Sequence, residues 1–235
     1  MLAIIKRDFR SYFNSPIAYV LIGLFICIMS LFFVDSLNAG IASFTTNFIS
    51  SMSYLLLFIV PILTMRSFAE DKKSGTEVLL MTSPVRVYQV VLGKYLAATA
   101  VFLVMAVVSL VFPLVLLIYG KPDGATLFSS YLGFVLLGMV FISVGIFASS
   151  LTENQIVAAI ISFVSLFALT SISFIGNYVG GFVGKVLDQL SFIERYYEFY
   201  YGIIDITSII FMLSFAAVFV FLTVRILERK RWSQG

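Results

Sequence analysis

Six times along this chain an apolar run of about 20 residues passes with charged side chains only at its edges, which is the length needed to cross the hydrocarbon core of a bilayer. The runs lie near 16–35, 51–67, 95–119, 126–150, 156–176 and 205–225. Lipid offers no partner for a bare peptide group, so a spanning segment must satisfy its own backbone, and an uncharged run of this length does so as a helix. A soluble core of 235 residues has no use for a chain that is 61% apolar and 11% charged; a bilayer accepts it. The fold class that follows is an all-α polytopic membrane protein with six transmembrane helices. The second run is the shortest and can extend upstream through "TNFIS". Pro61 and Pro113 fall inside the second and third runs, where a kink is tolerated if neighbouring helices bond the freed carbonyls.

The composition removes several function classes. There is no histidine, so histidine metal sites, histidine bases and Ser-His-Asp triads are excluded. A single cysteine, Cys27, cannot form an intramolecular disulfide or a thiolate cage; within an apolar run it reads as a small lipid- or helix-facing residue. A net charge of +3 does not point to nucleic acid. A phosphate-binding loop needs GxxxxGK[ST]. "GGFVGKV" at 180–186 fails because Val179 stands where the leading glycine belongs and Val186 where the Ser or Thr belongs; "VLGKY" at 91–95 fails as well. No polar segment here is long enough for a nucleotide-binding domain. The reading is of a non-catalytic chain with no metal or cofactor of its own, whose energy, if it uses any, comes from another subunit.

The first residues, "MLAIIKRDFRSYFN", do not resemble a cleavable leader. At helical spacing Leu2, Ile5, Phe9 and Phe13 line one side and Lys6, Arg10 and Asn14 another, the pattern of an amphipathic helix in the membrane interface. "NSP" then offers Ser15 as an N-cap and Pro16 as the first residue of a new helix.

With six crossings both termini share a face. On that face fall Lys6, Arg7, Arg10, Arg66, Lys72, Lys73, Arg86, Lys94, Arg225, Arg229, Lys230 and Arg231; Lys121, Lys185 and Arg195 fall on the other. The positive-inside rule therefore puts both termini and the 66–94 segment in the cytoplasm. Asp35 and Asp205 sit at outer edges and Glu153 in the turn "LTENQ". No ionisable group is expected near the bilayer midplane, where proton- and sodium-coupled carriers usually place them.

The stretch "RSFAEDKKSGTEVLLMTSP" places Glu70, Asp71, Lys72 and Lys73 side by side. "SGTE" reads as a capping box in which Ser74 caps a helix and Glu77 reaches back. Gly75 is a weak point, and Pro84 ends a short helix over "EVLLMTS". "VRVYQVVLGKY" then begins a helical stretch leading into the third span. The four charges read as the solvated start of a short helix on the membrane surface, with Val78, Leu79, Leu80 and Met81 open to a partner. A plain positive-inside loop with an interfacial helix fits the same residues.

The pattern "PILTMRSFAEDKKSGTEVLLMTSPV…VVLGKY" resembles the cytoplasmic signature of ABC-2 type permeases, the membrane subunits of type-2 ABC exporters, and most closely the gliding-motility type. "KRDFRSYFNSPIAYV" and "SSLTENQIVAAI" resemble that family's interfacial helix and its turn between spans four and five. The resemblance implies that the segment after Gly75 is a coupling helix docked on a cytoplasmic ATPase. Glu70, Asp71, Lys72, Lys73, Ser74 and Gly75 then supply polar contacts and Thr76, Glu77, Leu79, Leu80 and Met81 the docked face. Lys6, Arg7 and Arg10 on the interfacial helix are second candidates, and lipid headgroups would hold them equally well. It further implies two ATPase subunits carrying ATP and magnesium, and a second permease subunit, identical or not. The gliding-motility type adds an extracytoplasmic-domain subunit. The implied setting is a plasma membrane of the bacterial inner-membrane type. An amphiphilic, lipidic or peptide cargo suits spans without charge. Mechanotransmission without transport, and an ion-coupled carrier, are the rival readings.

Residues 177–204 are too apolar and aromatic for a solvated loop. Gly176, Gly180 and Gly184 recur every four residues, which permits close helix approach. Tyr196, Tyr197, Tyr200 and Tyr201 read as an interfacial aromatic belt, with Asp188, Glu194, Arg195 and Glu198 at its solvated edge. The resemblance implies short re-entrant helices here.

Overall fold

The computed structural model describes residues 1–38, 41–76, 86–120, 123–179 and 191–233, with side chains described for 1–37, 48–76, 86–118, 123–172 and 191–229. Among these nearly all residues are helical and none is in a strand. Helix α1 covers Leu2–Asn14 and ends at Ser15, whose backbone is extended. Pro16 opens α2, Pro16–Asn38, its fixed φ suiting the first helical position. The amide of Ile17 lies 3.5 Å from the Ser15 hydroxyl. Then come α3 (Ile41–Thr64) and α4 (Arg66–Lys73); α5 (Val87–Ser109) and α6 (Val111–Gly120); α7 (Gly124–Leu151); α8 (Gln155–Val179); α9 (Phe192–Tyr200); and α10 (Ile206–Ser233).

Six helical stretches are long and apolar enough to cross a membrane: Pro16–Leu37, Phe48–Lys73, Val87–Ile118, Gly124–Leu151, Gln155–Ile172 and Ile206–Arg229. The second runs past the charges to Lys73 instead of ending at 67, and the third starts at Val87, earlier than its hydropathy suggested. In both cases the helix continues into the polar zone because neighbouring helices receive its charged residues.

The spans are unequal in placement. Helix α7 is the centre of the bundle, packed by α3, α4, α5, α8, α9 and α10, and 78% of its apolar window is buried against 22% for α2. In lipid, helix association relies on close van der Waals fit, and small residues permit it. On α7 that role falls to glycines. A β-carbon on Gly138 would sit 2.2 Å from Cζ of Phe102, and one on Gly145 would sit 2.2 Å from the Thr64 hydroxyl oxygen. Gly180 and Gly184, the glycines singled out from the sequence, lie outside the described residues, and only the helical backbone of Gly176 is described.

The third span is interrupted at Leu110, between α5 and α6. Pro113 has no N–H to give the carbonyl four residues back, which belongs to Ser109. The Tyr131 hydroxyl of α7 donates to that carbonyl instead, at 3.0 Å. Tyr131→Phe should therefore cost about 1 kcal/mol of stability in detergent unfolding. Restoring an amide with Pro113→Ala should make the same Tyr131→Phe change nearly neutral.

At the other end of the bundle, Ser191 caps α9 by accepting the amide of Glu194. Helical spacing splits the four tyrosines into a buried pair and an exposed pair. Tyr196 and Tyr200 are buried, and the Tyr196 hydroxyl reaches the Ile49 carbonyl at 3.3 Å; Tyr197 and Tyr201 are exposed. The neighbouring charges are not simply solvated either. Glu198 accepts the Ser208 hydroxyl, and the Arg195 guanidinium lies 5.7 Å from the ring centre of Phe211. Both fasten α9 to α10.

Candidate functional site

The helix of the second span is interrupted at Met65, between α3 and α4, and an interrupted helix exposes peptide groups that need partners. Ser149, near the end of α7, supplies them. Its Oγ accepts the amides of Phe68 and Ala69 at 3.0 and 3.1 Å and donates to the Met65 carbonyl at 3.0 Å. One residue on, the Ser150 carbonyl accepts from the Lys72 ammonium, a cation meeting the carbonyl end of α7. The first turn of α4 is thus capped by a residue from another span.

The far end of α4 stops at Gly75, whose φ of +72° is left-handed and suits glycine. The Ser74 hydroxyl donates backward to the Glu70 carbonyl at 2.9 Å. Ser74 therefore closes the helix that precedes it, where the sequence pattern had it opening the one that follows; Glu77, the other half of that pattern, lies outside the described residues. The Thr76 hydroxyl folds back on Asp71 Oδ1 at 3.0 Å.

Beside this helix runs a row of alternating charge. Arg7 pairs with Asp8 at 2.8 Å. Lys94 Nζ lies 3.4 Å from Asp8 Oδ2 and 2.6 Å from Asp71 Oδ2. It also donates to the Ser67 carbonyl at 2.5 Å and sits 5.1 Å from the ring centre of Phe68. Lys94 is 5% exposed, Asp8 13% and Asp71 20%, so the charges are largely withdrawn from water. Two cations and two carboxylates balance, and each buried group has an opposite neighbour, the condition under which buried charge is tolerated. The Tyr12 hydroxyl of α1 donates to the Leu63 carbonyl at 3.0 Å. Burial, with Asp8 nearby, pushes its phenol up, so it stays a neutral donor across the physiological range. The N-terminal helix α1, both sides of the interruption at Met65, and the first turns of α5 thereby meet in one junction, with α7 behind it. A polar cavity of about 260 Å³ remains between α1, α4 and α5, lined by Ser11, Ser15, Arg66, Glu70, Thr76 and Lys94 among others.

This geometry divides the charges that the sequence set side by side. Lys72 is buried and Asp71 is mostly so, both turned into the bundle, which corrects the expectation of a uniformly solvated row. Glu70, Lys73, Ser74 and Gly75 are exposed and Thr76 is half-buried. Lys6, Arg7 and Arg10 are exposed on α1, and Ile4, Phe9, Tyr12 and Phe13 form its inward side. Leu2, assigned to the apolar side, is exposed. Glu77, Leu79, Leu80 and Met81 lie outside the described residues.

Sequence reasoning missed Asp8, Ser67, Lys94, Ser149 and Ser150 as parts of one arrangement. A signal existed for two of them. Asp8 stands four residues from both Ile4 and Tyr12, and Lys94 stands three or four from Val90, Val91, Ala97 and Ala98; helical spacing puts each on the buried stripe of its helix. Among the described residues, the junction ties α1, α4, α5 and α7 together through hydrogen bonds and ion pairs.

No curated protein matches the chain. The family described as "ABC-2 family transporter protein" matches it over residues 2–234, an extent that takes in α1, the six spans, the junction and α9. The chain belongs to the ABC-2 family of transporter proteins, as a multi-pass transmembrane subunit of an ABC transporter.

Proposed function

We propose that this subunit is one membrane half of an ATP-driven exporter that docks a cytoplasmic ATPase through the connection between α4 and α5. The observation that carries the reading is the junction itself. The helix leading into that connection is fastened to α1, α5 and α7, while Glu70, Lys73, Ser74 and Gly75 at its tip stay open. A load applied at the tip has a firm path into the spans. Both termini and this connection face the cytoplasm by the distribution of Lys and Arg. Two ATPase chains, carrying ATP and magnesium, and a second permease subunit complete the transporter.

The cargo is amphiphilic: a lipid or a peptide. Supporting this, the charged side chains of the described spans gather toward helix ends, and Lys94 is occupied by two carboxylates. A small ion would ask for free polar groups at mid-depth.

Co-purification with the ATPase tests the docking. The double substitution Leu79→Glu with Leu80→Glu should reduce recovery of the ATPase roughly tenfold or more, since burying two charges in an apolar contact costs several kcal/mol. Wild-type recovery by the double variant would refute docking at this segment. For the cargo, hydrolysis by the reconstituted complex should respond to lipids or amphiphilic peptides. A response to ions alone would refute that part.

A further inference from the structure

The connection between α4 and α5 has two stems, and Lys94 joins them. Asp71 lies near the end of the incoming stem and Lys94 two turns into the outgoing one, 2.6 Å apart across their charged ends. The same ammonium reaches back to Asp8 on α1. Without that bond, a push on the connection could be absorbed by splaying the stems or by sliding α1 along α5, where only apolar contact resists. Such contact does resist in part, because a β-carbon on Gly93 would lie 2.9 Å from Ile4 Cγ2, but flat packing opposes sliding less than it opposes separation. A buried ion pair resists both motions, because moving either partner leaves a charge uncompensated in a poorly solvated place.

We propose that Lys94 is a positioning residue for energy coupling: through Asp71 and Asp8 it makes the interfacial helix and the facing ends of spans two and three move as one lever. The proposal rests on the reading that an ATPase docks at this connection. It goes beyond that reading by naming what keeps the docked force from dissipating. Lys94 itself does not touch the ATPase, being 5% exposed.

The test uses the full complex in nanodiscs, in a Cys27→Ser background, with spin labels placed pairwise at Arg10, Lys73 and Tyr88. These positions are exposed and report α1, α4 and α5. ATPase co-purification with each labelled protein is measured first, so a loss of docking is seen separately from a loss of coupling. Distances are then compared between the nucleotide-free and the vanadate-trapped complex. In the wild type the three distances should stay unchanged on trapping. In Lys94→Met, with the ATPase still bound, at least one pair should widen and shift on trapping, and cargo-stimulated hydrolysis should fall roughly tenfold or more, within the usual range of coupling between sites. Lys94→Arg keeps the cation and should restore fixed distances. If Lys94→Met fails to fold, Asp71→Asn decides, since it removes the ion pair between the stems while Lys94 keeps Asp8 as its partner, and its stems should separate on trapping. Wild-type stems that separate on trapping would overturn the proposal. So would a Lys94→Met complex, or a folded Asp71→Asn complex, whose distances match the wild type.

Discussion

Gly138→Val is expected to abolish most folded protein in detergent extracts. The glycine lies where α7 passes α5, with the Phe102 ring against its backbone; an added β-carbon would stand 2.2 Å from one ring carbon and 2.3 Å from another. Carbon atoms attract best at about 3.5–4.0 Å, so either the ring must turn or the helices must part. Phe102 and Phe134 are both fully buried, their rings tilted against each other with centres 5.4 Å apart, so a turn of the Phe102 ring disturbs its neighbour. Overpacking of this kind costs typically 1–3 kcal/mol, and more when the surroundings are rigid. The gain from replacing a helical glycine, about 1 kcal/mol for alanine and less for β-branched valine, does not offset it. Gly23 is the control. It is exposed on α2 with nothing within 4 Å of a built β-carbon, so Gly23→Ala should leave the fold of this subunit unchanged or slightly firmer. The double variant Gly138→Val with Phe102→Ala should be more stable than the two single losses predict, by at least about 1 kcal/mol, because the new side chain occupies the space that the ring vacates. Thermal or steric-trap unfolding of the four proteins measures the coupling; strictly additive losses would mean that the two sites do not touch.

Ser149→Ala should be the second large loss, and it acts through hydrogen bonding instead of volume. One hydroxyl serves the amides of Phe68 and Ala69 and the Met65 carbonyl, all where water does not reach easily: Phe68 is 3% exposed and Ala69 is fully buried. Each buried backbone group left without a partner costs about 1–3 kcal/mol, so a destabilisation of about 3 kcal/mol is expected even after the backbone relaxes. Ser149→Thr keeps the hydroxyl and should retain most of the stability. The loss should also fall on one place. Hydrogen exchange at Phe68 and Ala69 should rise in Ser149→Ala before exchange rises elsewhere, because the substitution frees the start of α4 while the packing of α7 against its other neighbours persists. Uniform exchange across the spans would mean that Ser149 supports the whole bundle instead of this junction.

Much of the architecture was legible from the chain. The six crossings follow from long runs with charge only at their edges, because lipid forbids an unsatisfied backbone. Pro16 marks the boundary between α1 and α2 because proline fits a first helical position. The expected rescue of a freed carbonyl at Pro113 also holds, although the sequence did not name Tyr131 as the rescuer. The "SGTE" pattern did not disclose that the Ser74 hydroxyl turns back to the Glu70 carbonyl of the preceding helix; Glu77, the other half of that pattern, lies outside the described residues.

What the amino-acid sequence determined alone is thus the solvent this protein lives in, the number of its crossings and the ends at which its charges gather. Tertiary structure decided which crossing is central and which charges face inward. In water an apolar stripe betrays the buried side of a helix. In lipid the inward and outward sides are equally apolar, and nothing in hydropathy separates α7 from α2. Likewise Asp8, Asp71 and Lys94 read as three scattered surface charges until the bundle brings them together. Partners so far apart along the chain acquire their meaning from packing, since only packing removes the water that would otherwise screen them.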